Sequence, residues 1–415
     1  LKKHRIVKER EQEENKMLQG KTVLLGVTGG IAAYKMPNVA RMLKKMHCNV
    51  HVLMTQNATN FITATTFETL TGNKCLIDTF DRNFEFSVEH VALAKQADLV
   101  LLAPATANVI GKIANGIADD MLTTTVMACT CKVLVAPAMN HNMYHNSIVQ
   151  ENLEKLKRHG YEMIDPVCGM LANGDTGDGK LPSEETLVEY VLRELAFEKD
   201  MQGLKVLVTA GPTQEAIDPV RFISNHSTGK MGYAIAKNAM LRGAEVTLVT
   251  GRTALEPPMF VKTVPVTSAK DMYQAVMECA KEQDIIVKAA AVADYTPAHT
   301  ADEKIKKSEG ELSLALEKTT DILAELGKNK GNTVLCGFSM ETEHMLENSR
   351  AKRKKKNLDM IAANNLKQQG AGFAGDTNVL TLITEDWEKE LALMSKDEAA
   401  KCLLDELLKI KKNKK

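Results

Sequence analysis

The sequence carries no surplus of charge: 53 lysines and arginines balance 53 aspartates and glutamates. A neutral chain has no global attraction for nucleic acid or for an acidic membrane surface. Long apolar runs are missing as well, none reaching the roughly 18 residues that span a bilayer, which excludes an integral membrane protein built on apolar helices. The eight cysteines (Cys48, Cys75, Cys129, Cys131, Cys168, Cys279, Cys336 and Cys402) are scattered and form no CxxC pair. Their spacing argues against a disulfide framework and against a zinc ribbon. With no secretory signal in the sequence, a reducing cytoplasm is the expected compartment. Disorder is excluded by a hydrophobic fraction of 44%, which is that of a folded globule. At roughly 150 residues per domain, 415 residues predict two or three domains.

What is present is a repeated rhythm. Residues 1–16 are dominated by charge and read as a solvated extension, with Met17 as a candidate start. From Lys21, short β-branched runs at 22–28, 49–55, 98–104 and 132–137 read as buried strands, with amphipathic stretches at 34–46 and 148–159 among them. The rhythm restarts with strand-like runs at 205–211, 244–251, 284–294, 333–339 and 358–364. Between the halves lies a connector, residues 165–200, rich in Gly, Asp and Asn and closing with a helix predicted at 184–198. Strand–helix alternation implies parallel sheets covered on both faces. The expected fold is α/β, with two doubly wound, Rossmann-like, three-layer domains at 17–164 and 201–415. In such sheets the residues just after each strand carry the ligand site.

Generic motifs fail at those positions. Gly26-x-x-Gly29-Gly30 does not fit GxGxxG, although a strand–glycine–helix turn suits a phosphate. The stretch 224–231 resembles a P-loop, but Ser224 stands at the first glycine and Met231 where a magnesium-binding Ser or Thr belongs. His141 and His145 have metal-pair spacing, yet no third ligand is evident and loop histidines are the simpler reading. The run KRKKKN at 352–357 reads as a solvated helix face that can also reach phosphates. The residues alone therefore indicate a two-domain α/β protein with phosphorylated or nucleotide ligands, and leave a two-domain oxidoreductase equally open.

Longer strings go further. TGGIAAYK, VEHVALA, APATANVIGKIANGIADDML and PAMNHNMYHN resemble, in order, the flavin-binding cysteine-decarboxylase family. IDPVRFISNHSTGKMG, AAAVADY, EKIKKS and ANN…GF…DTN resemble phosphopantothenate–cysteine ligases. Together the modules resemble the bifunctional enzymes of coenzyme A biosynthesis from Met17 to about residue 390.

The resemblance implies FMN with its phosphate at Gly29, Gly30 and Ile31, and its ribityl chain and ring near Thr55 and the 104–108 loop (Pro104, Ala105, Thr106, Asn108). His90 matches the family histidine that takes the thiol proton, and Asn140 the asparagine that holds the substrate carboxylate. The connector resembles a substrate-clamp flap, but Asn173 and Gly174 follow Ala172 where the family usually has Ala-Cys-Gly. Asparagine has no acidic proton at neutral pH, so Cys168 or a water would have to donate the last one. For the ligase the resemblance implies CTP, magnesium, 4'-phosphopantothenate and cysteine. Asn225 matches the residue that processes the acyl-cytidylate; Ser227, Gly229 and Lys230 the phosphate end; and Arg221 a loop arginine near the dimer contact. Ala290, Ala291 and Asp294 would read the base, Lys304 matches a nucleotide-recognition lysine, and Lys352 and Lys356 are candidate triphosphate clamps. No magnesium ligand is assignable. The family further implies trimeric decarboxylase and dimeric ligase contacts in a homo-oligomer. A flavin-binding scaffold or regulatory protein with an impaired decarboxylase site is the competing reading, favoured by Asn173.

Overall fold

The computed structural model describes residues 16–79, 89–170, 174, 176–306, 313–341, 344–365 and 375–414. The charged extension up to residue 15 and Asn173 lie outside the described residues. The chain divides into two compact units, one ending at Phe197 and the other starting at Glu198.

In the first unit β1 (Thr22–Val27), β2 (Asn49–Met54), β3 (Leu99–Ala105), β4 (Lys132–Pro137) and β5 (Glu162–Met163) form one parallel sheet in the order β2-β1-β3-β4-β5. Successive residues of β3 are all buried, because both faces are covered. Leu24, Val100, Leu102, Val133 and Val135 pack with the helices Ala107–Ala114, Met121–Ala128 and Ser147–Arg158. The helix Glu184–Leu195 packs on β3 and on the helix Met36–Lys45. The first turn after β1 is a 3-10 helix, Ile31–Lys35, and the α-helix begins only at Met36, where Pro37 occupies a first-turn position that needs no N–H. The connector, expected as a flap loop, forms a hairpin of β6 (Val167–Met170) and β7 (Thr176–Lys180).

In the second unit β8 (Lys205–Ala210) is followed by a small antiparallel pair, β9 (Gln214–Ala216) and β10 (Phe222–Ser224). Then come β11 (Glu245–Thr250), β12 (Lys262–Pro265) and β13 (Ile285–Lys288), and a second small pair, β14 (Tyr295–Pro297) and β15 (Leu316–Lys318). Last are β16 (Val334–Glu341), β17 (Met360–Asn365), β18 (Thr377–Asn378), β19 (Leu380–Ile383) and β20 (Glu388–Glu390). The main sheet runs β12-β11-β8-β13-β16-β17-β19-β20, parallel up to β17 and antiparallel beyond. Leu207, Val249, Ile286, Leu335 and Ile361 form one core face with Met272, Val276 and Leu323. On the other face the helix Lys230–Leu241 lies hard against β8, because a Cβ on Gly232 would stand 2.6 Å from the Ala210 Cβ.

The run 284–294, expected as one strand, leaves the sheet after Lys288. Ala290 N–H then donates to Thr209 Oγ1 at 3.1 Å and Ala291 N–H to the Gly211 carbonyl at 3.0 Å, which ties this turn to the loop after β8. In both sheets the strand order reverses beside the first strand, at β1/β3 and at β8/β13. Crevices for ligands open at such points.

Candidate functional site

The first crevice is stitched by Thr28, a residue the sequence reading passed over. Its buried hydroxyl donates to the Pro104 carbonyl at 2.6 Å and accepts the Thr106 N–H at 3.0 Å, so the ends of β1 and β3 are held in fixed register. Gly29 is required by crowding, since a Cβ there would sit 2.5 Å from the Asn57 Cβ. At Gly30 a Cβ would meet only the Thr106 methyl, at 3.6 Å, which brings these two predicted residues together. Pro104 and Ala105, expected in a loop, are buried and finish β3; Thr106 then caps the next helix by accepting the Val109 N–H, and Asn108 is exposed within that helix. Ile31 is exposed. The Thr55 hydroxyl just after β2 is buried and has no hydrogen-bond partner among the described residues. A buried hydroxyl left alone costs about 1–3 kcal/mol, which a polar ligand group at this point would offset. Open backbone at Gly30 and an unpartnered hydroxyl at Thr55 fit a flavin-type group.

His90 is half-buried in the first turn of the helix Glu89–Gln96, which packs on the helix Met121–Ala128. Among the described residues no hydrogen bond joins it to another predicted site residue. Asn140 lies just after β4. Its Oδ1 accepts the Asn142 N–H at 2.9 Å, which leaves the amide NH2 as the group free to donate to a carboxylate.

The hairpin β6–β7 lies on this same segment, and two glycines permit it. A Cβ on Gly179, at φ +114°, would come within 2.3 Å of the Met139 carbonyl oxygen, and one on Gly177 within 2.8 Å of His141 Nδ1. Met139 N–H donates to the Gly179 carbonyl at 3.0 Å, and Asp178 N–H to His141 Nδ1 at 3.2 Å. Asp178 also pairs with His145 Nε2 at 3.0 Å. Expected as loop histidines without a third partner, His141 and His145 thus share one with the hairpin, and they latch it to the Asn140 segment. Spacing alone could not show this, because Asp178 arrives from 33 residues away. Cys168 and Gly174 are exposed on the hairpin and near its tip.

The second crevice is a cavity of about 540 Å3. It gathers Asn225, Ser227, Gly229, Lys230, Ala290, Ala291, Asp294, Lys352 and Lys356 from separate parts of the sequence. Asn225 Nδ2 donates to the Ala291 carbonyl at 3.1 Å, joining two predicted motifs directly. Gly229 adopts φ +78° before the helix Lys230–Leu241, whose N-terminal end and dipole favour an anion. The basic run divides by helical spacing: Lys354 and Lys355 are exposed, while Lys352 and Lys356 turn into the cavity. Lys352 donates to the Phe338 carbonyl at 3.2 Å, and Lys356 pairs with Asp321 at 2.8 Å. Burial and the neighbouring Lys356 hold the Lys352 amine below its usual value. Burial works to raise the Asp321 carboxyl, but Lys356 and the Ala324 N–H outweigh it and hold it low.

Two predicted residues stand outside this cavity. Lys304 is exposed, and Arg221 pairs with buried Asp218 at 2.9 Å while also donating to the Ile305 carbonyl. Arg221 therefore fastens the Lys304 segment to the turn before β10. The sequence reading gave no role to Lys288 or Asp321, nor to Asn364 within its ANN string. Lys288 is hidden as the last residue of an apolar strand, and Asn364, whose Oδ1 is buried without a partner among the described residues, is the last residue but one of β17. All three line the cavity.

A parallel sheet with a neutral crevice and a mostly parallel sheet with a cavity lined by amines define a two-module α/β protein. Residues 11–196 match the family model described as Flavoprotein, and residues 201–410 that described as DNA/pantothenate metabolism flavoprotein C-terminal domain. The coenzyme A biosynthesis bifunctional protein CoaBC of Bacillus subtilis (strain 168) is 45% identical over 400 residues, covering 95% of this chain and 98% of the relative. Its Escherichia coli (strain K12) counterpart is 42% identical over 395 residues, 94% of this chain and 97% of the relative. A crystal structure of the C-terminal domain of such a bifunctional protein is 41% identical and covers 52% of this chain and 100% of that domain, with a TM-score of 0.46. The chain belongs to the family of bifunctional coenzyme A biosynthesis proteins. That family joins a phosphopantothenoylcysteine decarboxylase to a phosphopantothenate–cysteine ligase. Among the described residues no helix is long and apolar enough to cross a membrane.

Proposed function

We propose that this chain makes 4'-phosphopantetheine from 4'-phosphopantothenate and cysteine, activating the acid with CTP and then decarboxylating the amide with FMN. The observation that carries the reading is that each crevice, at the point where its own sheet reverses, is lined by the motif residues of a different module.

In the second crevice the triphosphate meets the amines of Lys352 and Lys356 and the N-terminus of the helix Lys230–Leu241. Magnesium accompanies the nucleotide through its phosphates. Asn225 is held by Ala291 so that its amide sits at the edge of the cavity, where it polarises the carbonyl of the acyl-cytidylate for attack by the cysteine amine. Lys304, on its exposed segment, reaches the nucleotide only if that segment folds over the cavity, with Arg221 as its anchor.

In the first crevice, FMN when bound supplies a two-electron oxidation and its reversal. The Gly29–Ile31 turn takes the cofactor's phosphate, while the Thr55 hydroxyl and the 104–108 junction face the rest. His90 takes the proton from the substrate thiol, a task suited to an imidazole near neutral pH. The Asn140 amide holds the carboxylate without a cation that would stabilise it against loss. Cys168 or a water returns the last proton. Cys168→Ser should release carbon dioxide normally but accumulate the enethiol product; unchanged product formation leaves water as the donor. Trimeric contacts of the first module and dimeric contacts of the second, in the cytoplasm, complete the reading.

The test supplies 4'-phosphopantothenate, cysteine, CTP and magnesium, and follows pyrophosphate and carbon dioxide separately. Both should appear, and the protein should be yellow. Equal turnover with ATP would remove the cytidine assignment, and a flavin-bound chain releasing neither product would favour a scaffold role.

A further inference from the structure

Among the amines of the second cavity one is unlike the rest. Lys230 pairs with Asp376 at 2.8 Å, Lys356 with Asp321 at 2.8 Å, and Lys352 and Lys396 donate to backbone carbonyls. Lys288 has no hydrogen-bond or ion-pair partner among the described residues, yet it lines the same cavity. It is the last residue of β13, in register with Thr209 of β8 and Gly337 of β16, at the centre of the sheet beside the reversal point. Burial is the main influence on it, followed by the like charges of Lys352 and Lys356, with Asp321 and Asp294 opposing them. An ammonium ion in such surroundings is costly unless an anion completes it. Neither carboxylate does: Asp321 is committed to Lys356, and among the described residues no ion pair joins Asp294 to Lys288.

We propose that Lys288 is a direct contact for the polyphosphate of the nucleotide, completing a three-amine floor with Lys352 and Lys356. This inference rests on the ligase reading of the cavity. In the activation step the substrate carboxylate oxygen bonds to the α-phosphorus. The bond from that phosphorus to the bridging oxygen breaks, and the oxygen leaves with the electron pair as part of pyrophosphate. No net proton moves. Negative charge gathers on the leaving group, and a cation fixed at the centre of the sheet stabilises it there more than in the resting nucleotide. The rival role for a lysine in this place is that of a base for the cysteine amine, which would act only after pyrophosphate has left.

The test uses the full chain with inorganic tripolyphosphate as the probe, in titration calorimetry at pH 7. Lys288→Met should weaken tripolyphosphate binding about tenfold or more, and Lys288→Arg should restore most of it. With 4'-phosphopantothenate and CTP, the methionine variant should lower kcat/KM for pyrophosphate release by about 30-fold or more. Methionine removes an unpaired charge at similar volume, so its melting temperature should equal or exceed that of the unaltered chain. Lys288→Gln gives the same readings if the methionine variant does not fold. Tripolyphosphate affinity unchanged in the neutral variants overturns the proposal. So does normal pyrophosphate release with loss of the amide product alone, which is the signature of the base. If the unaltered chain binds tripolyphosphate through Lys288 but does not turn over CTP, the ligase reading fails while the polyanion contact stands.

Discussion

The two crevices occupy equivalent places in their sheets and are furnished differently. At β1/β3 the polar groups are backbone amides, threonine hydroxyls and asparagine amides, with Thr28 clamping the strand ends together. At β8/β13 five lysines line the cavity: Lys230, Lys288, Lys352, Lys356 and Lys396. Neutral donors on rigid strand ends suit a cofactor that stays bound. A concentration of amines suits a highly charged anion that must enter, lose a pyrophosphate and leave. On the proposed reading, one fold serves both tasks by changing what stands just after the strands.

The strongest way to break the comparison is in the second crevice. Asn225→Ala should lower amide formation about 10²–10³-fold, the usual cost of an oxyanion-stabilising group. Pyrophosphate should still be released, and the acyl-cytidylate should accumulate; loss of CTP binding instead would make Asn225 a positional residue. In the first crevice His90→Asn should cut carbon dioxide release by about 10²-fold while the flavin remains bound. A colourless, aggregated variant would mark a structural histidine.

Thr55→Val should weaken flavin binding by about 1–2 kcal/mol, roughly tenfold, while leaving the flavin-free chain as stable or more so. Flavin retention equal to the unaltered chain would contradict the cradle described for Thr55. The smallest effect concerns pH. Burial and the neighbouring Lys352 and Lys356 push the Lys288 amine down to about 8, from an ordinary 10.5. Between those values the unfolded chain holds the proton that the folded one has lost, so the nucleotide-free second unit should gain stability as pH rises through about 8. Tripolyphosphate affinity should fall over the same range, because its cation is being lost. Denaturant titrations at pH 7 and 9 check the first trend and calorimetry the second; Lys288→Met should flatten both.

Much of this was legible in the sequence, because parallel strands buried on both faces write themselves as β-branched runs. The strand Lys132–Pro137 has the bounds the pattern predicts. The run 284–294 misled because its alanines are as apolar as a strand, although the regular strand ends at Lys288 and Ala291 only bridges to Pro212 beyond it. Motif strings located Asn225 and Ser227, and the spacing of the basic run at 352–357 located Lys352 and Lys356; all four converge on one cavity. They assigned no role to Thr28, which opens TGGIAAYK, or to Asp178 or Lys288, and showed nothing of the unpaired Thr55 hydroxyl. Each of those matters through a neighbour distant in sequence, or through the lack of one, and neither leaves a local pattern.

The most direct measurement of the central claim, two separately furnished crevices each running its own step, gives preformed 4'-phosphopantothenoylcysteine to the Asn225→Ala chain. Carbon dioxide should be released at the rate of the unaltered protein, with flavin bound and no CTP required. Loss of carbon dioxide release from that variant would contradict the account.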